Sequence, residues 1–285
     1  MVTKRKWIYI IFLCSLPCLV RSQTLDQTFQ LAEQFQVSGN YKAAIETYLR
    51  ILFFDEADQY SKKALLNTAN LYFQTGDFKR AATYYQRSAI YYQADTAVWI
   101  FQQKVNALLA GQLYQEAKEE LYYFEENSLS PDLLWNYHLQ WATVHYGLKQ
   151  YDQSLEFFKK LVPEGGEESQ KLATLIRKVK KKEKKSEALA FYMSAVIPGT
   201  GQMYAKDYRN GLNSLLLSGG LIAAGIAVGI NTGVVDAILI VAPWWIRYHL
   251  GGMYGADLSV RNFKIDQRHK IYLELLSEAL SKKQG

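Results

Sequence analysis

One pattern recurs four times between residues 25 and 162: an aromatic residue, a small residue three places on, and a bulky apolar residue four places beyond that. The residues are Tyr41, Ala44 and Tyr48; Phe78, Ala81 and Tyr85; Tyr114, Ala117 and Leu121; Tyr151, Ser154 and Phe158. Spacings of three and four put each set on one face of a helix. Twelve positions before each small residue stands another compact side chain, Ala32, Ala69, Val105 and Ala142, as two close-packed helices need where they cross. The unit is therefore a helical hairpin. The small residues recur at intervals of 37, 36 and 37, the range of stacked helical arrays. A single hairpin cannot bury its apolar face alone, so the expected architecture is an all-α solenoid whose concave side is a docking surface.

Gly39-Asn40-Tyr41-Lys42-Ala43-Ala44 and Gly76-Asp77-Phe78-Lys79-Arg80-Ala81 resemble the inter-helix turn of tetratricopeptide repeats. Gln112 and Lys149 replace the turn glycine in the third and fourth copies, the period exceeds that family's 34 residues, and its usual proline is mostly missing. The resemblance implies a protein or peptide partner. Carrying over the family's inner-face positions places Asn70 and Asn106 at equivalent points of successive repeats, where they resemble the asparagines that hold peptide backbones. Phe29, Lys63, Leu66, Phe73, Trp99, Leu109, Leu139 and Tyr146 fall nearby. Of these, Lys63, Phe73, Trp99 and Tyr146 join the two asparagines as the expected groove. Plain exposed helix positions are the alternative reading.

Lys4, Arg5 and Lys6 precede an apolar run over residues 7–20, and Val20-Arg21-Ser22 offers a cleavage point, so residues 1–22 read as a secretory signal. An uncleaved anchor is the alternative, and it too carries the repeats across the membrane. Both cysteines, Cys14 and Cys18, lie in this segment, preceded by Leu13 and Pro17 rather than the small residue that lipidation needs. A chain cut after Ser22 keeps no cysteine and can form no disulfide or thiol site.

The net charge of +6 is unevenly spread. Residues 23–169 hold 12 basic and 19 acidic side chains, and residues 170–285 hold 17 and 8. A basic tract suggests nucleic acid, which a secreted polypeptide rarely meets, so anionic lipid headgroups are the expected neighbour and no nucleic-acid partner is expected. Residues 163–168 (Pro-Glu-Gly-Gly-Glu-Glu) read as a linker. The following run, with Lys180, Lys181, Lys182, Lys184 and Lys185, leads into apolar sequence and is expected at the membrane surface rather than as a solvated spacer.

Residues 211–230 are almost uncharged and long enough to cross a hydrocarbon core of about 30 Å. A second stretch, 234–246, continues less cleanly toward Leu258, with Pro243 as a kink and Trp244, Trp245 and Tyr248 as interfacial anchors. Gly225 and Gly229, and Gly251 and Gly255, have the spacing that lets helices approach in lipid. Before the first span stands Pro198-Gly199-Thr200-Gly201-Gln202-Met203-Tyr204, whose Pro198, Gly199, Gly201, Gln202 and Tyr204 resemble the opening motif of two-helix membrane domains of the TM2 type and of an uncharacterised C-terminal domain in repeat-bearing envelope proteins of Bacteroidota-like bacteria. That resemblance covers about residues 188–262 and implies location rather than chemistry. A phosphate-binding glycine loop would need a following lysine and Ser/Thr that are absent. The topology carries a conflict: the signal puts both basic flanks of the hairpin outside, against the positive-inside rule. The signal-led arrangement is the expectation.

His138, His145, His249 and His269 show no metal-ligand spacing, and no nucleophile or carboxylate constellation presents itself, so neither metal, cofactor nor catalysis is expected. The expected organisation is a signal (1–22), repeats (23–162), a linker with a basic juxtamembrane segment (163–186), a membrane hairpin (187–258) and an amphipathic tail (259–285). The function expected is a membrane-anchored scaffold of a Gram-negative inner membrane, its repeats in the periplasm. The alternative is a small transport or lipid-handling domain regulated by the repeats, which would use Asp236, Arg247, His249 and Asp257.

Overall fold

A computed structural model describes residues 23–281. The signal expected over residues 1–22 lies outside the described residues. The described residues form fourteen α-helices, a single 3-10 turn and no strand, in two compact units, Met1–Leu148 and Lys149–Gly285.

The described part of the first unit contains α1 (Leu25–Val37), α2 (Tyr41–Phe54), α3 (Ser61–Gln74), α4 (Phe78–Ala89), α5 (Ala94–Ala110), α6 (Tyr114–Leu121) and α7 (Pro131–Gly147). Each helix packs on the next in sequence, and α5 also packs on α7. The compact residues that the repeat pattern places at crossings, Ala32, Ala44, Ala69, Ala81, Val105, Ala117 and Ala142, are all fully buried. Helix starts are fixed by side chains: Thr24 and Gln27 form a reciprocal capping box, and Asn40 and Asp77 accept from the N–H groups of Ala43 and Arg80.

The turns share one geometry. Gly39, Gly76 and Gln112 have φ of 77°, 81° and 58°, and the next residue donates to the carbonyl five places back at 2.9 Å in each case. This left-handed C-terminal cap satisfies the last helix carbonyls. Lys149, at the fourth copy, also has positive φ, at 61°. The turn therefore survives loss of its glycine, with Gln112 and Lys149 carrying the left-handed strain of a side chain with a Cβ.

The second unit contains α8 (Tyr151–Lys159), α9 (Glu167–Glu183), α10 (Glu187–Val196), α11 (Thr200–Tyr204), α12 (Tyr208–Asn231), α13 (Val234–Ile240) and α14 (Ala242–Leu280). Helix α14, 39 residues long, is the spine on which α9 to α13 pack. Three expectations change here. The unit boundary falls at Leu148, ahead of the expected 163–186 linker. The basic run belongs to a packed helix: Leu172, Ile176 and Val179 of α9 are buried, as are Ile271, Leu275 and Ala279 of α14, the helix it packs against. The C-terminal segment is no separate tail, because α14 runs without interruption from Ala242 to Leu280.

Among the described residues one helix, α12, is long and apolar enough to cross a membrane, with mean hydropathy 1.8 and 6% of its apolar window buried. The second apolar stretch is divided at Val241 into α13 and the start of α14, where Pro243 can donate no backbone N–H. A Cβ on Gly225 would meet Val241 at 3.6 Å and one on Gly229 would meet Ala237 at 3.7 Å, ordinary contact distances at which an alanine would also fit. In α14 it is Gly252 that meets α12, at Ser214, while Gly251 faces open space.

Candidate functional site

The residues expected to line a groove divide by burial. Lys63 is exposed and Trp99 is 41% exposed, whereas Phe73 is half-buried, in edge contact with Phe78, and Tyr146 is only 6% exposed. Tyr146 is thus a core residue and presents little surface to a partner. Both asparagines hold internal hydrogen bonds. Asn70 Oδ1 accepts from the Tyr85 hydroxyl at 2.7 Å, and Asn106 Oδ1 accepts from Gln140 Nε2 at 2.8 Å. Burial pushes the Tyr85 hydroxyl up to about 12.

Asn106 belongs to a polar seam between α5 and α7 that the repeat pattern does not signal. Gln140 Nε2 also donates to the Gln102 carbonyl at 2.9 Å, and Gln102 Nε2 donates to the Leu133 carbonyl at 2.7 Å. Lys104, buried nearby, is neutralised by Glu120 and donates to Gln86 at 3.0 Å. At the α2–α3 corner, buried Asp55 accepts from the backbone N–H groups of Gln59, Tyr60 and Ser61 and from the Ser61 hydroxyl. Burial raises its pKa, but these hydrogen bonds outweigh burial and hold the carboxyl below its usual range.

In the second unit the glycine motif is an intersection of helices. A Cβ on Gly201 would lie 2.0 Å from the Ala190 carbonyl oxygen and 2.7 Å from Ala256 Cβ, and one on Gly199 would lie 2.1 Å from the Gly211 oxygen. Gly199 also needs its φ of 91° to turn the chain into α11. Gln202, buried, ties three helices together: its Oε1 accepts from Ser194 Oγ at 2.9 Å and its Nε2 donates to the Gly252 carbonyl at 2.7 Å. Ser194 Oγ in turn accepts from the Gly201 N–H at 3.0 Å. The Tyr204 hydroxyl accepts from the Ser186 N–H, and its ring packs on the cluster of Ala190, Ala205, Ala256, Val260 and Phe263. The motif residues are thus brought together as a packing device around α14.

The turn into α12 is a fifth copy of the repeat's turn. Lys206 has φ of 67°, Asp207 donates to the Gln202 carbonyl at 2.9 Å, and Asp207 caps Asn210. Tyr208, Gly211 and Leu215 supply the aromatic, small and bulky positions, with Gly199 twelve places before Gly211. The Lys206-Asp207-Tyr208 string is the signal that could have revealed it, although it lies outside the 36- to 37-residue interval and lacks the turn glycine.

The basic run is partly neutralised. Lys180 pairs with Asp152 at 2.9 Å, Lys178 with Glu274 at 3.0 Å, and Arg268 of α14 with Glu183 at 3.3 Å. Lys181 and Lys184 are exposed. An open groove between α9 and α14 has Leu175 and Leu273 in its lining, and Lys171 at its edge is held by Glu167 and Glu278.

The histidines are separated: His138 meets Glu126 at 2.8 Å, His145 stacks on Trp141, and His249 stacks on Trp245. Among the described residues no group of three His, Cys, Asp or Glu side chains is placed to hold a metal. Ser214 Oγ, Ser218 Oγ, Trp245 Nε1 and His249 Nδ1, on the facing helices α12 and α14, are buried polar atoms with no hydrogen-bond partner among the described residues. No family model, curated protein or solved structure matches the chain.

Proposed function

We propose that the chain is a membrane-anchored scaffold of a bacterial envelope: a tetratricopeptide-like solenoid that captures a partner protein, held to the bilayer by a helical hairpin of α12 with α13 and the start of α14. The observation that carries the anchor is the solvent-facing apolar surface of α12, on which Ile226 is 60% exposed, with Ile222 and Ile230 exposed beside it. It continues through Val234, Val235, Ile238, Leu239 and Ile240, a breadth of exposed apolar surface that water does not tolerate without a covering. The four like turns and the buried crossing alanines support a stacked array, and such arrays act as docking surfaces.

The test has two arms. Alkaline carbonate treatment of native membranes should leave the chain in the pellet, and its appearance in the supernatant would sink the anchor. A photo-crosslinker at exposed Lys63 or Trp99 in intact cells should give one dominant adduct, whereas one placed in the hairpin should not. Equal adducts from both would remove the repeats from the role of capture surface.

A second reading, transport or lipid handling within the hairpin, is favoured by Ser214, Ser218, Trp245 and His249, which lack partners among the described residues, since polar groups at membrane depth are candidates for function. Loss of a solute flux in Ser218→Ala, with capture by the repeats intact, would establish it.

A further inference from the structure

Around the start of α12 the acidic groups are already committed, and three lysines are not. Glu187 pairs with Arg261 at 3.3 Å and Lys264 at 3.2 Å, Glu183 pairs with Arg268, and Asp207 accepts from Asn210 and Ser259. No carboxylate among the described residues pairs with Lys182, Lys185 or Lys206. The ammonium groups of Lys182 and Lys185 gather at two rings instead, and exposed Lys206 lies two residues beyond Tyr204. Lys185 Nζ lies 3.9 Å from the Tyr204 ring centroid and 5.1 Å from that of Phe263, and Lys182 Nζ lies 5.7 Å from the same Phe263 ring. Lys185 is anchored there by donating to the Tyr204 carbonyl. Burial lowers its pKa first, and the charges of Lys206 and Lys182 lower it further, so Lys185 faces two like charges and no counter-charge.

The cluster stands where an anchored protein would meet headgroups. Lys206 precedes the first residue of α12 by two positions. Directly after Lys185, α10 exposes Leu189, Tyr192 and Val196, followed by Ile197. Positive charge beside exposed apolar surface matches a phosphate joined to acyl chains, and a soluble anion would use only half of it.

We propose that Lys182, Lys185 and Lys206 form a docking site for the phosphate of an anionic phospholipid, whose acyl chains lie along the exposed apolar faces of α10 and α12. The proposal rests on the anchored reading. It extends that reading from general attraction by a basic run to three named side chains, and it excludes Lys178 and Lys180, which are already paired.

The test uses the full chain in a neutral, phosphate-free detergent, with Tm followed by intrinsic fluorescence. Phosphatidylglycerol added in excess should raise Tm by about 3 °C or more, with phosphatidylcholine and inorganic phosphate giving little. The triple variant Lys182→Gln/Lys185→Gln/Lys206→Gln should lose most of that shift. The corresponding triple Arg variant should keep it, as should Lys178→Gln/Lys180→Gln. A full shift in the triple Gln variant overturns the site, and an equal shift with inorganic phosphate or phosphatidylcholine overturns the anionic-lipid assignment. Failure of the anchored reading is seen separately, as release by carbonate.

Discussion

Asn70 accepts through Oδ1 from the Tyr85 hydroxyl, on a ring that is nearly inaccessible to water, which changes what its removal should do. Asn70→Ala leaves the Tyr85 hydroxyl buried without a partner and should cost about 1–3 kcal/mol, read as a lower urea midpoint. Loss of partner capture in that variant would therefore not by itself identify a groove. Exposed Lys63 and Trp99 are the cleaner probes. Tyr85 also sets a pH dependence. Its folded value of about 12 exceeds the unfolded value near 10, so its stabilisation is complete below about pH 10 and is lost as pH rises through about 12. Tyr85→Phe should flatten the alkaline limb of the stability curve, and an unchanged slope would show that the hydroxyl ionises as freely in the folded chain. At the turns, Gln112→Gly and Lys149→Gly should each relieve about 1 kcal/mol of left-handed strain, less about 0.5 kcal/mol for added freedom of the unfolded chain. The expected outcome is a Tm higher by a degree or two for each.

At the scale of elements, the crossings were legible and the packing of the charged helix was not. A compact residue twelve places from another predicts contact because only small side chains let two helix axes approach, and both members of every such pair in the first unit are buried. The lysines of α9 outnumber and surround Leu172, Ile176 and Val179, whose spacing of four and three is itself an amphipathic signal. The groove asparagines failed to read as core partners because hydrogen bonds such as Asn70 to Tyr85 join residues on different helices, and local periodicity carries no such information. The glycines of the second unit were legible as small but not by their separate duties, which depend on register. Gly201→Ala should overpack the α10–α11–α14 intersection and cost roughly 1–3 kcal/mol or more, whereas Gly251→Ala faces open space and should be nearly neutral. Comparable losses of folded protein from the two variants, measured by thermal aggregation in detergent, would contradict this packing.

For the whole molecule the proposed anchor predicts either one crossing or two, and two physical rules oppose each other over its sense. Among the described residues α12 alone meets the length and hydropathy of a span, and the proposed returning limb rests on the apolar side chains that α13 and the start of α14 expose. The turn between them, residues 232–233, carries no Lys or Arg, while the flanks hold Lys206 and Arg209 on one side and Arg261, Lys264 and Arg268 on the other. Positive charge favours the cytoplasmic side, and a secretory signal would place the same flanks outside. Reporter fusions after Leu148, after Thr232 and after Gln284 separate the possibilities, because each combination of crossing number and sense gives a different pattern. A signal-led hairpin predicts periplasmic, cytoplasmic and periplasmic in that order. A charge-led hairpin predicts the inverse at all three points. A single crossing by α12 predicts that the fusions after Thr232 and Gln284 agree with each other and oppose the one after Leu148, and that result would remove the returning limb from the proposal.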